Sequence, residues 1–326
     1  MSDARTWQCD RCGVQMVERR CKVICPNCGA RWDCSDVTIW VSDGKGDLVT
    51  RACRPSDLPQ LARRWPQAPS ATDLRDHTAG AWILLEGAEP RGYAVLVPVP
   101  GLTHVLQLHG DVDAHACRNG AATLLLDTLF REVDRRAVRQ VSYAVDSLQG
   151  DDAKFLQAYG FYLEHEEWRM QCELPPPQPA PFLPSGYQVG LLPPRQRIDA
   201  FLRLYEQSFS PTPWHQPYSR AEVAADLDRR DELLFLLHES TPVGFAWLRE
   251  RDGKGEIEPM GLLPAHQGRG LGRALLLTAL WRLAARGLQC AALGLWRQNQ
   301  VALRLYQSAG FRHVGSRYFL AYDVRA

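Results

Sequence analysis

The sequence predicts a mixed α/β (α+β) protein: two tandem copies of one strand-and-helix unit, preceded by a small cysteine-rich segment. Three observations carry that prediction. Six of the ten cysteines fall within the first 34 residues. The stretch 187–326 repeats, in order, motifs found in 37–172. Both stretches open as a strand, then a helix, then two further strands. At 326 residues the chain is long enough for two or three domains, and 45% hydrophobic with 23% charged residues is ordinary for a soluble globular protein. No apolar run approaches the roughly eighteen residues of a membrane span, and Met1-Ser2-Asp3-Ala4-Arg5 lacks the apolar core of a signal peptide. A cytoplasmic protein without membrane contact is expected. A formal charge of +1 gives no global attraction to nucleic acid.

Residues 1–36 form the first element. Cys9-Asp10-Arg11-Cys12-Gly13 and Cys25-Pro26-Asn27-Cys28-Gly29 each place two thiolates on one tight knuckle, the glycine letting the backbone curl back towards a metal. A short strand-like piece, Val14 to Ile24, separates them. In a cytosolic chain paired cysteines read as metal before disulfide. The spacing resembles a zinc ribbon, which implies one structural Zn²⁺ on Cys9, Cys12, Cys25 and Cys28. Redox-reactive cysteines are the alternative; Cys21 and Cys34 read as spare small apolar residues, though either can stand in as a ligand. A segment this short cannot fold on apolar burial alone. Arg11, Arg19, Arg20, Lys22 and Arg31, with Trp7 and Trp32, permit docking on nucleic acid or a partner protein; a solvated charged face is the plainer reading.

The first copy spans 37–172. Thr50-Arg51-Ala52 leads into a helix from Asp57-Leu58, and Ala81–Leu85 and Tyr93–Val97 read as strands. Val112–Ala121 then precedes an apolar helical run, Ala122 to Arg131. A proline-rich linker, 173–186, follows, stiff and extended. In the second copy, 187–326, Gln188-Val189, the helix Arg197–Phe209 and the strands Leu233–His238 and Gly244–Arg249 repeat the order. Placing Leu124-Leu125-Leu126 on Leu275-Leu276-Leu277 sets Ala116, Cys117, Asn119 and Ala121 against Gln267, Gly268, Gly270 and Gly272. Phe155–Phe161 parallels Leu305–Phe311. Side chains in the first loop obstruct a pyrophosphate, so catalysis is expected in the second copy alone; residual binding in the first is the alternative.

Gln267-Gly268-Arg269-Gly270-Leu271-Gly272 carries the chemistry. Three glycines between a strand and a helical segment leave successive backbone N–H groups open at a helix N-terminus, where the macrodipole favours an anion. A tight turn needing glycine for conformation alone is the bland reading. With Glu256-Ile257-Glu258-Pro259-Met260-Gly261-Leu262-Leu263-Pro264 before it, and Asn299, Ala302, Leu305-Tyr306 and Gly310-Phe311 after it, the segment resembles the GNAT acetyltransferase superfamily over about 140 residues. The resemblance implies that each copy is a mixed, mostly antiparallel sheet flanked by helices. It implies acetyl-CoA or another acyl-CoA as ligand, with a donor-binding set of Met260, Gly261, Leu262, Leu263, Gln267, Gly268, Arg269, Gly270, Leu271, Gly272, Arg273 and Asn299. The tandem layout is similar to that of the mycothiol synthases, which carry no zinc ribbon.

Glu256 and Glu258 lie two apart on a strand and share a face, expected to include Met260 and Leu262. In the family a carboxylate on this strand often acts as base, so either glutamate is a candidate; exposed edge carboxylates are the alternative. Tyr306 matches the tyrosine that protonates the departing CoA thiolate, with core packing as its other reading. Asn299 is expected to cap the last helix. His215, Trp214, His238 and His266 are candidates for acceptor contact, His266 more as a shaper of the loop. Together these features read as an N-acetyltransferase acting on a small-molecule or peptide amine. A different class is an acyl-CoA sensor that docks through its cysteine-rich segment; retained Glu256, Glu258 and Tyr306 favour the enzyme.

Overall fold

The computed structural model describes residues 7–8, 15–19, 22–24, 31–33, 48–66, 68, 80–99, 101–113, 120–133, 138–179, 182–212 and 215–324. Near the N-terminus β1 (Trp7–Gln8), β2 (Gln15–Arg19), β3 (Lys22–Ile24) and β4 (Arg31–Asp33) form a four-stranded antiparallel meander in chain order. The single strand expected over 14–24 is therefore two, because Arg19 pairs with Lys22 and closes a hairpin. Gln8 pairs with Gln15, and Ile24 with both Val17 and Arg31. The ends joined by residues 9–14 and by residues 25–30 thus lie at one end of the sheet. Cys9, Cys12, Cys25 and Cys28 themselves lie outside the described residues.

The chain divides into two compact units, 1–95 with 110–137, and 96–109 with 138–326. In the first, β5 (Leu48–Ala52), β6 (Gly80–Glu86) and β7 (Glu89–Val99) up to Val95 lie side by side. Helices α1 (Leu58–Arg64) and α2 (Ala121–Val133) belong to the same unit. Leu61, Ile83, Leu84, Leu129 and Val133 are buried there, and Thr50 Oγ1 meets Thr128 Oγ1 at 2.7 Å. Arg51 holds Asp57 through both carboxylate oxygens at 2.7 and 2.8 Å, which keeps Asp57 below its ordinary pKa.

The second unit contains β8 (Leu102–Val112) up to His109, β9 (Gln140–Val145), α3 (Asp151–Tyr159), β10 (Tyr162–Glu173), β11 (Tyr187–Leu191), α4 (Pro194–Phe209) and α5 (Arg220–Asp226). It continues with β12 (Glu232–His238), β13 (Thr241–Arg251), β14 (Lys254–Leu262), α6 (Leu271–Ala285), β15 (Cys290–Trp296), α7 (Gln300–Ser308) and β16 (Arg312–Asp323). Its sheet runs β11-β12-β13-β14-β15-β10-β16-β9-β8, parallel only at β14–β15 and β8–β9. This is the mixed, mostly antiparallel sheet with flanking helices that the sequence predicts. One face packs on α6 and α7 through Leu275, Leu276, Leu280, Leu283 and Leu303; the other packs on α4 and α5 through Phe201, Leu204, Val223, Phe245 and Trp247.

From α2 and α6 onward the two halves repeat with a period of 150 residues, which β10 and β16 show most plainly, each being twelve residues long. They pair with each other, and β10 inserts between β15 and β16 while β16 lies between β10 and β9. The last strand of each half is thus exchanged into the other half's sheet. The proline-rich stretch is fastened down rather than free. Leu174 is buried, its N–H donates to the Gln289 carbonyl at 2.9 Å, and Trp281 Nε1 donates to the Gln178 carbonyl at 3.0 Å.

The same period corrects the alignment of the two loops by one residue. Gly120 and Gly270 both have φ of +76° immediately before a helix, and Ala121, Leu125, Leu126, Leu129, Phe130 and Val133 are buried as are Leu271, Leu275, Leu276, Ala279, Leu280 and Leu283. Gly120 is therefore the counterpart of Gly270. Arg118 then stands for Gly268, Ala122 for Gly272, and Leu156 for Tyr306. The sequence alignment slipped because runs of leucine match equally well one residue out; the burial period and the left-handed glycine fix it. Among the described residues no helix is long and apolar enough to cross a membrane.

Candidate active site

Strands β14 and β15 run parallel and pair only at Gly255–Ala291 and Glu256–Ala292. Beyond those pairs they separate. The opening arises where β14 is irregular: Ala246 pairs with Met260 and Leu248 with Ile257, so Glu258 and Pro259 together face Trp247. Two residues opposite one make a β-bulge, which flips the alternation of side chains beyond it. Met260 and Leu262 consequently pack with Ile257 on the α6 side, not with Glu256 and Glu258 as a regular strand would place them. The proline without an N–H, in a position a ladder would otherwise use, is the residue that marks the break.

Glu258 reaches across the opening. Its Oε2 accepts a hydrogen bond from the Gly294 N–H on β15 at 3.3 Å. Burial, then the nearby charges of Glu167 and Glu256, push its carboxyl up to about 7, against the opposing pull of the Gly294 hydrogen bond and Arg249. Its charge is felt at Tyr205 on α4, at Tyr218 ahead of α5, and at Tyr306 on α7. Glu256 sits two residues earlier and pairs across the ladder with Arg249, whose guanidinium lies 4.0 Å over the Trp247 ring.

Tyr306 is 8% exposed, packs 5.7 Å from Phe311, and has its pKa raised well above that of a free phenol by burial and by Glu258. It keeps its proton throughout the neutral range. Asn299 caps α7 as expected, its side-chain oxygen accepting from the Ala302 N–H at 3.1 Å. Gly261 lies under Phe209 and Phe245; a Cβ there would come within 2.7 Å of the Phe209 ring. The aromatic wall continues with Phe209 stacked on Tyr205 at 4.7 Å, and His215 bonds to Glu206 at 2.9 Å.

The glycine loop enters α6 with Gly268 at φ +72° and Gly270 at φ +76°, the left-handed region open to glycine. Among the described residues a Cβ at either position would meet nothing within 4 Å, so the loop borders open space. Gly270 offers no side-chain cap, and the first turn holds no acid. The first N–H groups of the helix are thus left for an outside acceptor. Arg269 is exposed and Arg273 half-buried beside them. Gln267 Nε2 donates to the Leu262 carbonyl at 2.9 Å, and Tyr187 Oη meets His266 Nδ1 at 2.8 Å, so both residues before the glycines brace the loop. A Cβ at Gly272 would lie 3.6 Å from Leu305 Cδ2, which places the loop against the helix that carries Tyr306.

A loop whose helix N–H groups are uncovered, an opened strand pair and a near-neutral carboxylate whose charge is felt at a buried phenol thus belong to one unit. Residues 198–311 match the acetyltransferase (GNAT) family. A mycothiol acetyltransferase of Thermobispora bispora is 31% identical over 244 residues, covering 70% of this chain and 79% of the relative. This chain belongs to the GNAT acetyltransferases. A mycothiol acetyltransferase of Pseudarthrobacter chlorophenolicus is 28% identical over 81% of the chain and 87% of its own length. In fold, a GCN5-related N-acetyltransferase from Sphaerobacter thermophilus matches with a TM-score of 0.66 at 21% identity, over 86% of this chain and 96% of its own. A tandem GNAT protein from the clavulanic acid pathway gives 0.62 at 15%, over 86% and 99%. As a GNAT acetyltransferase the chain is an enzyme.

Sequence reasoning missed Glu167. It lies on β10, at the end of the first copy, and no local motif surrounds it. The signal that points to it is the pairing of β10 with β15, which the sequence does not announce.

Proposed function

We propose that the chain is an acetyl-CoA-dependent N-acetyltransferase whose second copy, 187–326, transfers the acetyl group to a primary amine while the first copy, 37–172, shapes the site without turning over. The observation that carries this reading is the Glu258 carboxyl at the opening of β14 and β15, poised near neutral and coupled to Tyr306. The donor's diphosphate fits Gly268 to Gly272, with Arg269 and Arg273 alongside, and Met260 to Leu263 lie along the edge where β14 leaves its partner. An N–H near Met260 or Gly261 supplies the oxyanion contact. Glu258 takes the ammonium proton of the acceptor, with Glu256 as second carboxylate, and Tyr306 gives a proton to the leaving sulfur. A sensor of acyl-CoA has no use for a base and an acid. The relatives named mycothiol acetyltransferases make an amine on a small thiol-bearing molecule the first acceptor to test.

Release of free thiol from acetyl-CoA in the presence of a panel of amines tests the assignment. Tyr306→Phe removes the proton donor and almost no volume, so turnover with the best acceptor is expected to fall about 10²–10⁴-fold while acetyl-CoA affinity changes far less. Full turnover in the variant leaves Tyr306 a packing residue.

Cys9, Cys12, Cys25 and Cys28 are proposed to hold one structural zinc. Among the described residues no cluster would hold a metal ion; the strand ends on either side of the two Cys-x-x-Cys segments lie at one end of the β1–β4 sheet, which supports the reading. Such a site contributes about 10–16 kcal/mol of apparent binding to its own folding. Metal analysis is expected to return one zinc per chain, lost in Cys25→Ser. A metal-free protein that keeps the β1–β4 meander rules the site out.

A further inference from the structure

We propose that Glu167 on β10 is a positioning residue for acyl transfer, its carboxyl group held against the same glycine as that of Glu258 so that the charge of one governs the proton held by the other. The inference rests on the reading of Glu258 as the base. The geometry comes from the exchanged strand. β10 lies beside β15, with Glu167 opposite Trp296 and Arg169 opposite Gly294, so Glu167 stands on the face away from α6, where Glu256 and Glu258 also stand. Gly294 is where the two carboxyls converge. Its N–H donates to Glu258, and a Cβ on it would fall 3.0 Å from Glu167 Cδ and 3.2 and 3.3 Å from its oxygens. A side chain on Gly294 would make the Glu167 carboxyl give way by a few tenths of an ångström, whereas glycine lets both groups approach the same point of the backbone undisplaced.

The surroundings favour one shared charge. Glu258 faces Arg249 on β13, Glu256 on β14, Glu167 on β10 and the phenols of Tyr205, Tyr218 and Tyr306. Glu167 faces Arg317 on β16, His165 and Arg169 on its own strand, and Glu256. Both carboxyls lie above the ordinary carboxylate range, burial being the chief cause for each, with the cations around Glu167 acting against it. Two carboxylates sharing a buried site raise the proton affinity of one of them. An incoming ammonium then meets a base stronger than an isolated glutamate.

The test is titration of the full-length protein carrying ¹³C in the glutamate side-chain carboxyls, with the Glu258 signal assigned by its loss in Glu258→Gln. In Glu167→Gln, which keeps shape and removes charge, the Glu258 midpoint is expected to fall by roughly one pH unit. Glu167→Asp, which keeps the charge, is expected to restore most of the difference. An unmoved midpoint in folded Glu167→Gln overturns the proposal. The pH dependence of kcat/KM separates this from the assignment of the base. An acidic limb that follows the midpoint upholds both, whereas a midpoint that moves under a fixed limb upholds the coupling and removes Glu258 from the proton transfer.

Discussion

Glu258→Gln is expected to cost about 10²–10⁴ in turnover and at the same time to make the protein more stable. The two effects have one cause. Burial and like charges move the Glu258 carboxyl from 4.5 to about 7, so its ionised form is held at a disadvantage in the folded chain. At about 1.4 kcal/mol per unit this amounts to roughly 3 kcal/mol once the group is ionised. Because the folded pKa lies above the unfolded one, that loss sets in as pH rises from the mid-4s through about 7, and it is complete in mild base. Glutamine carries no charge, and its carbonyl oxygen still accepts from the Gly294 N–H. Thermal denaturation at pH 8 is expected to show the variant melting a few degrees above the parent, the difference vanishing near pH 4. In the parent, turnover is expected to rise with pH to half its maximum near 7, since only the carboxylate accepts a proton. A variant that keeps the parent's rate and its acidic limb removes Glu258 from catalysis. Strain of this kind, held at a reactive group and offset by packing elsewhere, is what a functional carboxylate looks like in a fold.

Much of that site is legible in the chain itself. The glycine run and the strand before it locate the donor, because left-handed backbone and an uncovered helix N-terminus demand glycine at fixed positions. Asn299 reads as a cap because a short polar side chain before a helix has little else to do. What the chain does not show is where the sheet departs from regularity. Alternation places Met260 and Leu262 beside the glutamates, and the bulge at Glu258–Pro259 sends them to the opposite face. Nor does it show that β10 crosses into the second half of the repeat, which brings Glu167 to Gly294 over a separation of more than a hundred residues. Strand exchange leaves no local pattern, since β10 and β16 have equal lengths and similar burial and suit either sheet. The one-residue slip between the two loops has the same origin: leucine runs tolerate it, and only helix geometry decides.

Gly270→Glu is expected to lower the affinity of the second copy for acetyl-CoA by about 10²–10⁴-fold, the equivalent of losing two charge-assisted hydrogen bonds. Gly270 precedes α6 in the left-handed conformation, and a Cβ there points into open space. The fold has room for the side chain, so the cost is confined to backbone strain of about 1–3 kcal/mol and does not unfold a helix whose buried face runs from Leu271 to Leu283. The introduced carboxylate lies at the N-terminus of α6 and takes up the N–H groups that the diphosphate needs, and its charge repels the ligand from the same place. Gly120→Glu supplies the control. Gly120 has the same φ of +76° before α2, also with nothing among the described residues within 4 Å of a Cβ, so the backbone strain is matched. Arg118 and Ala122 already stand where the second copy has Gly268 and Gly272, and calorimetry is expected to find acetyl-CoA binding to Gly120→Glu unchanged. Two equal sites in the parent, or equal losses in the two variants, would place donor binding in both halves and end the case for a single working copy. Loss in Gly270→Glu alone assigns the donor to the loop whose three glycines leave the backbone bare.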